Sequence, residues 1–588
     1  MTSKDSGTLI SLKAKIDGLH HDFSYGDCNV CGLSYDNRLS TTGGGWVVMS
    51  PGKWGNENDF DVDAFCNALA GVIKSTTEDP SREFFIDIMN LGGFSEGIRG
   101  KLRNAFWELF QRCAGGGTIR YLEGAPPTQE EIDGKPRPFK RPFAEWLKDL
   151  DSDNNNRKFK NIKVYEGQLR FPAVSQENID TVRTVIGTIQ SVTGKVLVAE
   201  SEVDRCLYLL GRMGPWIHAK GIAVNGDVAV TGGHNLWDDY ITCSAKPGIM
   251  PKTSDLSMRV EGGAAADMQR FADFFWRYLN KPEMNGVADM WIWDDNRGVR
   301  PIADGERKRG YENAPLFETW YNDAKNRRRH ESADGVPVLA VGKVGGFDLW
   351  ELLNDLVQTI ALRMGSTMPN LARFFPDPFG TARSASRIAR THLIEQANSS
   401  IFISQQKIGL PGGEIKADLL GTLWPVDMID ALASAIKRGV EVRIVTSPQP
   451  PSTMNGKGYE EYFSDATPGD LQAILKAALM RLDTSLTYKR ADELLQQHLQ
   501  MRQISYVADK KLPYAEGKLV CNHGKFLMVD KKTFYIGSDN AYPSWLIEFG
   551  YVVDHDASAK HLIEKYWDEI WKNSAPTWTS GTTGSAGP

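Results

Sequence analysis

Two segments of the chain share one spacing of polar residues, and this repeat constrains the fold more than any other feature. In each segment Lys follows His by two positions, Gly by fourteen and Asn by seventeen. These positions, with the residue after each Gly, hold His218, Lys220, Gly232, Gly233 and Asn235 in the first copy and His523, Lys525, Gly537, Ser538 and Asn540 in the second. Apolar runs between them predict a β-hairpin in each copy, with His and Lys on one face of a strand.

Paired histidines, lysines and asparagines predict one anion-binding site on a pseudo-twofold axis between two similar lobes. Two ammonium groups and two amides are suited to hold the non-bridging oxygens of a phosphodiester while phosphorus becomes five-coordinate. One imidazole then attacks phosphorus, and the other protonates the departing alcohol and later deprotonates the acceptor. Because the lysines supply the positive charge in this scheme, no metal or other cofactor is expected.

Patterns around the repeat predict an α/β fold, with a mixed or parallel sheet flanked by helices in each lobe. An apolar run at residues 84–89 precedes a helical pattern at 98–110 and a second strand at 118–122. The same order recurs at 401–404, 428–438 and 440–445, where Gly439 occupies the position of a helix C-terminal glycine. Strand–helix–strand units of this kind are typical of sheets with helices outside.

Composition divides the chain into five parts. We expect an N-terminal extension at residues 1–44 and a lobe with the first motif at 45–292. A charged linker at the surface follows at 293–335, then a lobe with the second motif at 336–572 and a disordered tail at 573–588. The linker is poor in apolar residues, and the tail is rich in Ser, Thr, Gly and Pro. The repeat thus favours two large lobes over the roughly four domains that the length alone suggests.

Charge and hydrophobicity exclude several classes of protein. A chain of 588 residues with 41% hydrophobic and 24% charged residues has the composition of a globular protein with a large core. Because 68 Lys and Arg face 74 Asp and Glu, the net charge of −6 disfavours broad nucleic-acid binding, although not a local anion pocket. No stretch approaches the ~18 apolar residues of a transmembrane segment.

The compartment is predicted from the cysteines and from the start of the chain. Seven scattered cysteines are an odd number and indicate a reduced interior rather than a disulfide framework. The first residues lack the apolar segment of a secretory signal. We therefore expect either a cytoplasmic protein or a secreted one whose signal has already been removed.

The two motifs resemble those of the phospholipase D superfamily, in which HxKxxxxD is followed by a Gly-Gly or Gly-Ser turn and Asn. Phrases similar to those of the two-lobed secreted phospholipases D of actinomycetes occur at residues 50–55 (SPGKWG), 231–240 (TGGHNLWDDY), 336–342 (VPVLAVG), 403–406 (ISQQ) and 535–551 (YIGSDNAYPSWLIEFGY). The resemblance covers residues 45–572 and implies the phospholipase D fold, two similar lobes with one active site between them.

The resemblance also implies roles for individual residues. His218 matches the position of the family's nucleophile, and His523 matches its general acid and base. The residues that match phosphate-binding positions are Lys220, Lys525, Asn235 and Asn540. Asp255 and Glu548 fall where the family places carboxylates that hydrogen-bond the two histidines, and such partners fix the imidazole tautomers.

Two positions depart from the family pattern. Asn225 stands where the first motif has Asp, a place that Asp530 holds in the second motif. Asn keeps the hydrogen-bonding capacity of Asp and loses its charge, so we interpret Asn225 as structural and expect activity to survive. Glu548 replaces a more usual Asp and adds a methylene.

Other notable residues are interpreted as structural. Residues 93–97 match the G-x-S-x-G of an α/β-hydrolase nucleophile elbow, after a strand and before a helix. Because the resemblance aligns this segment with a plain strand–helix unit, we favour Ser95 as a helix cap. The aromatic residues expected to pack the turns after the two asparagines are Trp237, Tyr240, Tyr542 and Trp545.

The function expected from motifs and resemblance is that of a monomeric phosphodiesterase acting on glycerophospholipids. It would cleave the bond between the phosphatidyl group and its head-group alcohol through a phosphohistidine, with transphosphatidylation to other alcohols. The expected partner is phospholipid at a membrane or micelle surface, and no nucleic acid is expected. Two alternatives stay open: a soluble or nucleotide-linked phosphodiester, since the motifs recognise only the phosphate, and an inactive phospholipid-binding homologue, suggested by Asn225.

Overall fold

The computed structural model describes both copies of the repeat and the secondary structure around them. The residues that it describes are 6–18, 31–40, 45–50, 63–76, 81–113, 115–124, 143, 146, 147, 150, 161–169, 184, 216–240, 253–280, 288–294, 298–301, 313–323, 326, 335–344, 385–409, 424–449, 464, 466–504, 521–542, 544 and 546–577. Trp545 and residues 578–588 of the predicted tail lie outside this part of the chain.

The strands of the described part form two sheets. They are β1 Cys31–Asn37, β2 Val47–Ser50, β3 Phe84–Leu91, β4 Gly117–Gly124, β5 Ile162–Leu169, β6 Gly221–Val224, β7 Val228–Gly232, β8 Thr253–Glu261, β9 Ala288–Asp294, β10 Gly298–Pro301, β11 Val336–Lys343, β12 Ser400–Gln405, β13 Glu441–Thr446, β14 Leu499–Ile504, β15 Cys521–Asn522, β16 Lys525–Val529, β17 Thr533–Gly537, β18 Glu548–Asp554 and β19 Ser574–Pro576.

Helices connect and cover these strands. They are α1 Gly7–Gly18, α2 Ala64–Ser75, α3 Glu96–Arg112, α4 Gly263–Leu279, α5 Phe317–Tyr321, α6 Ala385–Gln396, α7 Val426–Lys437, α8 Pro468–Leu482, α9 Tyr488–His498, α10 Asp556–Leu562 and α11 Asp568–Lys572, with a 3₁₀ turn at Asp238–Tyr240 and a π-helical turn at Ile563–Trp567.

The two sheets repeat one arrangement of seven strands. The order is β5-β4-β3-β6-β7-β8-β2 in the first sheet and β14-β13-β12-β16-β17-β18-β11 in the second. In both, the first three strands pair in parallel. The remaining neighbours pair antiparallel. This repetition confirms the predicted α/β fold with two similar lobes, each a mixed sheet with helices.

The local predictions around the repeat are also confirmed. The predicted strand–helix–strand units are β3-α3-β4 and, in the second sheet, β12 and β13 with α7 between them in the chain. Helix α3 buries the face predicted from its apolar spacing, including Leu102 and Phe106. Gly439 after α7 has φ +88°, a left-handed conformation that favours glycine over other residues.

Three strands lie in the segments that composition predicts as extension, linker and tail. Strand β1 of the predicted extension (1–44) pairs antiparallel with β11 in the second sheet. Strand β10 of the predicted linker (293–335) pairs with β9 in the first sheet, and α5 buries Phe317 there. Strand β19 of the predicted tail (573–588) pairs with β14. Each strand adds to a sheet near its edge, and an edge offers unpaired backbone groups that even a polar segment can satisfy.

Helix α4 packs against both sheets and so holds the two lobes together. Its Phe271 lies 5.1 Å, between ring centroids, from Phe549 of β18. The hydroxyl of Tyr551, also on β18, donates to the carbonyl of Ala264 at 2.8 Å. On the other side, α4 packs against β6 and β7, and Gln269 donates to Asp87 of β3 at 3.0 Å. Among the described helices, none combines the length and apolar character that crossing a bilayer needs.

Candidate active site

The two repeated hairpins, β6-β7 and β16-β17, place both histidines where the sheets meet. The histidines precede the strands, since β6 begins at Gly221 and β16 at Lys525. The predicted hairpins are thus confirmed, but the His and Lys of the first copy lie in the approach to β6 and not within it.

Backbone hydrogen bonds join each motif to the opposite lobe. The amides of His218 and Ala219 both donate to the carbonyl of Ile547, at 2.9 and 2.6 Å. Symmetrically, the amide of His523 donates to the carbonyl of Ser254 at 2.7 Å, and β15 pairs in parallel with β8. Ile547 and Ser254 each precede a carboxylate, so these bonds bring each histidine to a carboxylate of the other lobe.

The resulting histidine–carboxylate pairs cross between the lobes. Nδ1 of His218 lies 2.9 Å from both carboxylate oxygens of Glu548. Nδ1 of His523 lies 2.7 Å from Oδ2 of Asp255. All four side chains are buried. A carboxylate at Nδ1 holds the ring proton there, which leaves Nε2 of each ring as the nitrogen able to react.

The two lysines are held in the same way in both copies. Nζ of Lys220 donates to the carbonyl of His218 at 2.5 Å, and Nζ of Lys525 donates to the carbonyl of His523 at 2.7 Å. Lys220 is 1% and Lys525 0% exposed. An ammonium carries three donors, so each lysine can bond its own histidine's backbone and still hold an anion.

Burial shifts the pKa of every one of these groups toward its neutral form. It lowers the pKa of both histidines well below the usual value, and the neighbouring lysines lower it further. It lowers the pKa of Lys525 to about 8 and raises that of Asp255 to about 7. It also raises the pKa of Glu548, against the opposing effect of Lys220. A bound anion opposes the shifts of the histidines and lysines, because it stabilises their protonated forms.

Close packing explains the residues of the two turns that carry the asparagines. A Cβ on Gly232 would lie 2.3 Å from Cα of Ser257, and one on Gly537 would lie 2.8 Å from Cα of Gly550. A Cβ on Gly233 would meet Oδ1 of Asp255 at 2.0 Å. The second copy has Ser538 at the position of Gly233, and its hydroxyl donates to Oε2 of Glu548 at 2.5 Å.

Asn225 and Asp530 occupy equivalent hairpin turns, both with positive φ, and bond the backbone of equivalent strands. Oδ1 of Asn225 accepts from the amide of Phe85, in β3, at 2.7 Å. Oδ1 of Asp530 accepts from the amides of Ser399 and Ser400, at the start of β12, at 2.7 and 3.1 Å. Asn225 is 5% exposed and Asp530 is half-buried, so the neutral side chain stands at the more buried turn.

Three residues near the histidines were missed by the sequence reasoning. Tyr240, expected mainly to pack a turn, has its hydroxyl 2.9 Å from Nδ1 of His523. Asp539 accepts from Ser386 at 2.6 Å and pairs with Arg390 at 3.3 Å. Lys343 is buried opposite Glu548 in the β11–β18 register. In the sequence, Tyr240 and Asp539 could have been noticed only because they stand close to a motif. Lys343 could have been noticed only because it directly follows the phrase at residues 336–342.

Ser95 lies at the N-terminus of α3, as the capping interpretation expects, but the cap is a carboxylate. Oδ1 of Asp238 accepts from the amide of Ile98 at 3.2 Å and from the Ser95 hydroxyl. Oδ2 of Asp238 lies 3.4 Å from the amide of Gly97. Bonding to a carboxylate in this way fits a helix terminus and not a nucleophile aimed at substrate.

Comparison with known proteins finds one matching family model and a similar enzyme. Residues 391–571 match the family model described as cardiolipin synthase, PLD-like domain. The chain is also 26% identical, over 560 residues, to the phospholipase D of Streptomyces antibioticus, which covers 92% of this chain and 83% of that protein. The second half of the chain thus contains a PLD-like domain, and most of the chain is similar to a phospholipase D. This domain and this similarity are those of an enzyme of the phosphodiesterase class.

Two further proteins are similar to this chain. Cardiolipin synthase C of Escherichia coli (strain K12) is 23% identical over 377 residues, which are 62% of this chain and 65% of that protein. The crystal structure of phosphatidylserine synthase from Haemophilus influenzae Rd KW20 aligns with 96% of this chain and 92% of that chain, at 11% identity and a TM-score of 0.46.

Proposed function

We propose that this phosphodiesterase hydrolyses glycerophospholipids between the phosphatidyl group and the head-group alcohol, and transfers the phosphatidyl group to other alcohols. The observation that carries the proposal is the crossed pair of histidine–carboxylate contacts beside two buried lysines. The similarity to a phospholipase D over most of the chain supports the lipid substrate. Cardiolipin synthase C, the second relative, is also named for a phospholipid.

In the first step we assign the nucleophile to His218 and the general acid to His523. Nε2 of His218 attacks phosphorus, a P–N bond forms, and the P–O bond to the head group breaks. The proton on Nε2 of His523 passes to the departing alkoxide, so the head group leaves as a neutral alcohol. Glu548 and Asp255 stabilise the positive charge that each imidazole carries in turn.

In the second step the same groups act in reverse. His523 removes a proton from water or an alcohol, whose oxygen attacks phosphorus, and the P–N bond to His218 breaks. The groups assigned to hold the non-bridging oxygens are Lys220, Lys525, Asn235 and Asn540. They stabilise the charge on the five-coordinate phosphorus without a proton transfer of their own.

The test of the proposed function is a head-group release assay on phosphatidylcholine, phosphatidylethanolamine, phosphatidylglycerol and a dinucleotide, with and without ethanol. We expect release from the lipids, and phosphatidylethanol when ethanol is present. Formation of phosphatidic acid without any phosphatidylethanol in the presence of ethanol would contradict the covalent intermediate. Release from the dinucleotide alone would replace the lipid by a soluble diester.

A histidine series accompanies that assay. His218→Ala and His523→Ala are expected to lose more than roughly 1,000-fold in kcat, since each removes a group acting in the transition state. His392→Ala is the matched control, because His392 bonds Lys15 at 3.1 Å, outside the two motifs. Near-normal turnover by either motif variant would contradict the assigned roles.

A further inference from the structure

The two motif asparagines share an unusual hydrogen-bonding pattern. Nδ2 of Asn235 donates to the hydroxyl oxygen of Tyr240 at 3.3 Å, and Nδ2 of Asn540 donates to that of Tyr542 at 2.7 Å. Oδ1 of each asparagine is buried and has no hydrogen-bond partner among the described residues. A buried amide oxygen without a donor costs free energy, and the same cost recurs in both copies.

Rotating each amide by half a turn gives its oxygen a donor and leaves the NH2 group in need of an acceptor, which a bound anion supplies. The oxygen and nitrogen of an asparagine amide are assigned from their hydrogen bonds, so either orientation fits the same side-chain shape. In the rotated orientation Oδ1 accepts the proton of the tyrosine hydroxyl. The NH2 group then takes the buried place of Oδ1, where its two donors can meet an anion.

We propose that Tyr240 and Tyr542 are positioning residues, each holding its asparagine with the NH2 group toward the phosphoryl oxygens of the substrate. The inference rests on the proposed function, since the anion is taken to be a phosphodiester. The two tyrosines stand at different distances from their asparagines, five residues on in the first copy and two in the second. The same Asn–Tyr contact is thus made from two unequal positions in the sequence. A simple duplication of the segment would keep the positions equal, so the difference favours a functional role for the contact.

Tyr240 has a second contact that connects the anion site to the general acid. Its oxygen lies 2.9 Å from Nδ1 of His523, the nitrogen that also faces Asp255. With its own proton on Asn235, the phenol oxygen accepts from Nδ1–H and stabilises the protonated imidazole. Tyr542 instead has the ammonium of Lys407 at 5.7 Å from its ring centroid.

Other charged groups act on His523 and remain in the tyrosine variants of the enzyme with His218 intact. Asp255 faces it from β8. The positively charged or ionisable neighbours are Lys525, Lys220, His218 and His234. Removing the Tyr240 hydroxyl leaves this set unchanged, so a shift in the titration of His523 reports the lost contact.

The experiment measures binding of dibutyl phosphate, a monoanionic diester, by calorimetry in a His218→Ala background that prevents turnover. Tyr240→Phe and Tyr542→Phe are each expected to weaken binding by roughly tenfold, the effect of one oriented donor to an anion. Tyr240→Phe in an Asn235→Ala background is expected to cause little further loss, because the tyrosine acts through the asparagine. Thermal unfolding of each variant checks that it is folded.

A second readout separates the two tyrosines. In the enzyme with His218 intact, Tyr240→Phe should move the alkaline limb of kcat/KM to lower pH, because the protonated His523 loses an acceptor. Tyr542→Phe should leave that limb in place. Full affinity in both Phe variants, or losses that add in the double variant, would overturn the inference while leaving the proposed function intact. Coupled losses in a protein that cleaves no diester would support the tyrosine roles and refute the proposed function.

Discussion

Asn225 shows how one residue fits its local environment. An Asp there would place a charge at a 5% exposed turn whose side-chain oxygen accepts one backbone amide, that of Phe85. Asp530, at the equivalent turn, accepts several backbone amides, which lower the pKa of its carboxyl. The neutral amide therefore avoids the desolvation of a charge, and the difference from the motif does not touch the histidines.

We expect Asn225→Asp to lower the free energy of unfolding by about 1–3 kcal/mol at pH 8. Burial raises the pKa of the introduced carboxyl in the folded state, so this loss should shrink as pH falls through that pKa. Urea unfolding at pH 8 and pH 5 measures both values. Asp530→Asn is the reciprocal control, with a loss expected at pH 7 that shrinks as pH falls below ~4 and through the lowered pKa of Asp530. Equal stability of Asn225→Asp and the parent at pH 8 would contradict the argument.

Lys525 sets an expected pH dependence of anion binding. Its burial lowers the pKa to about 8, even though Asp255 and Glu548 oppose the shift. The ammonium is the anion-binding form, so affinity for dibutyl phosphate should fall as pH rises through about 8. Calorimetry between pH 6 and pH 10 in the His218→Ala background measures the fall. Lys525→Arg stays charged over that range, and an unchanged fall in this variant would show that another group is responsible.

At the scale of the elements, the turn after β7 leaves no room for a side chain at Gly233. A Cβ there would lie 2.0 Å from Oδ1 of Asp255, the carboxylate that faces His523. Gly233→Ala is thus expected to displace Asp255 and lower kcat by roughly 100-fold, the size typical of lost support to a general acid. Steady-state kinetics at saturating substrate measures the change. Gly100→Ala is the control, because a Cβ at this position in α3 would have no atom within 4 Å. Equal kcat in both variants would contradict the expected displacement of Asp255.

The elements also show what the sequence could predict. The hairpins and the strand–helix–strand units follow from apolar periodicity over several residues, a local signal. Strands β1, β10 and β19 were not predicted from such a signal, and each lies at the edge of a sheet, where it pairs with one described neighbour. Composition could not show these pairings within the predicted extension, linker and tail.

The candidate site likewise contains residues that the sequence could predict and contacts that it could not. The repeat spacing singled out His, Lys and Asn because both copies keep the same offsets. The resemblance supplied Asp255 and Glu548, which no spacing links to the histidines. The contact of Tyr240 with His523 joins residues 283 positions apart, and the tyrosines stand at unequal offsets. Only the folded arrangement of the two lobes reveals such a contact.

For the whole molecule, the crossed contacts make two lobes into one site. Each histidine faces a carboxylate of the other lobe, and α4 packs against both sheets. The acidic net charge of −6 is compatible with an anion site, since the charges near the anion are buried lysines and not the surface average. The central claim is therefore that a single site between the lobes forms its intermediate on one particular histidine.

Rapid quenching of the enzyme with a short-chain phosphatidylcholine, followed by peptide mass spectrometry, tests this claim most directly. The His523→Ala variant is used beside the parent, because loss of the group that activates water should prolong the intermediate. The account predicts a phosphatidyl adduct on the peptide that contains His218, in one copy per chain. An adduct on His523 in the parent enzyme, or steady turnover with no adduct in either protein, would contradict it.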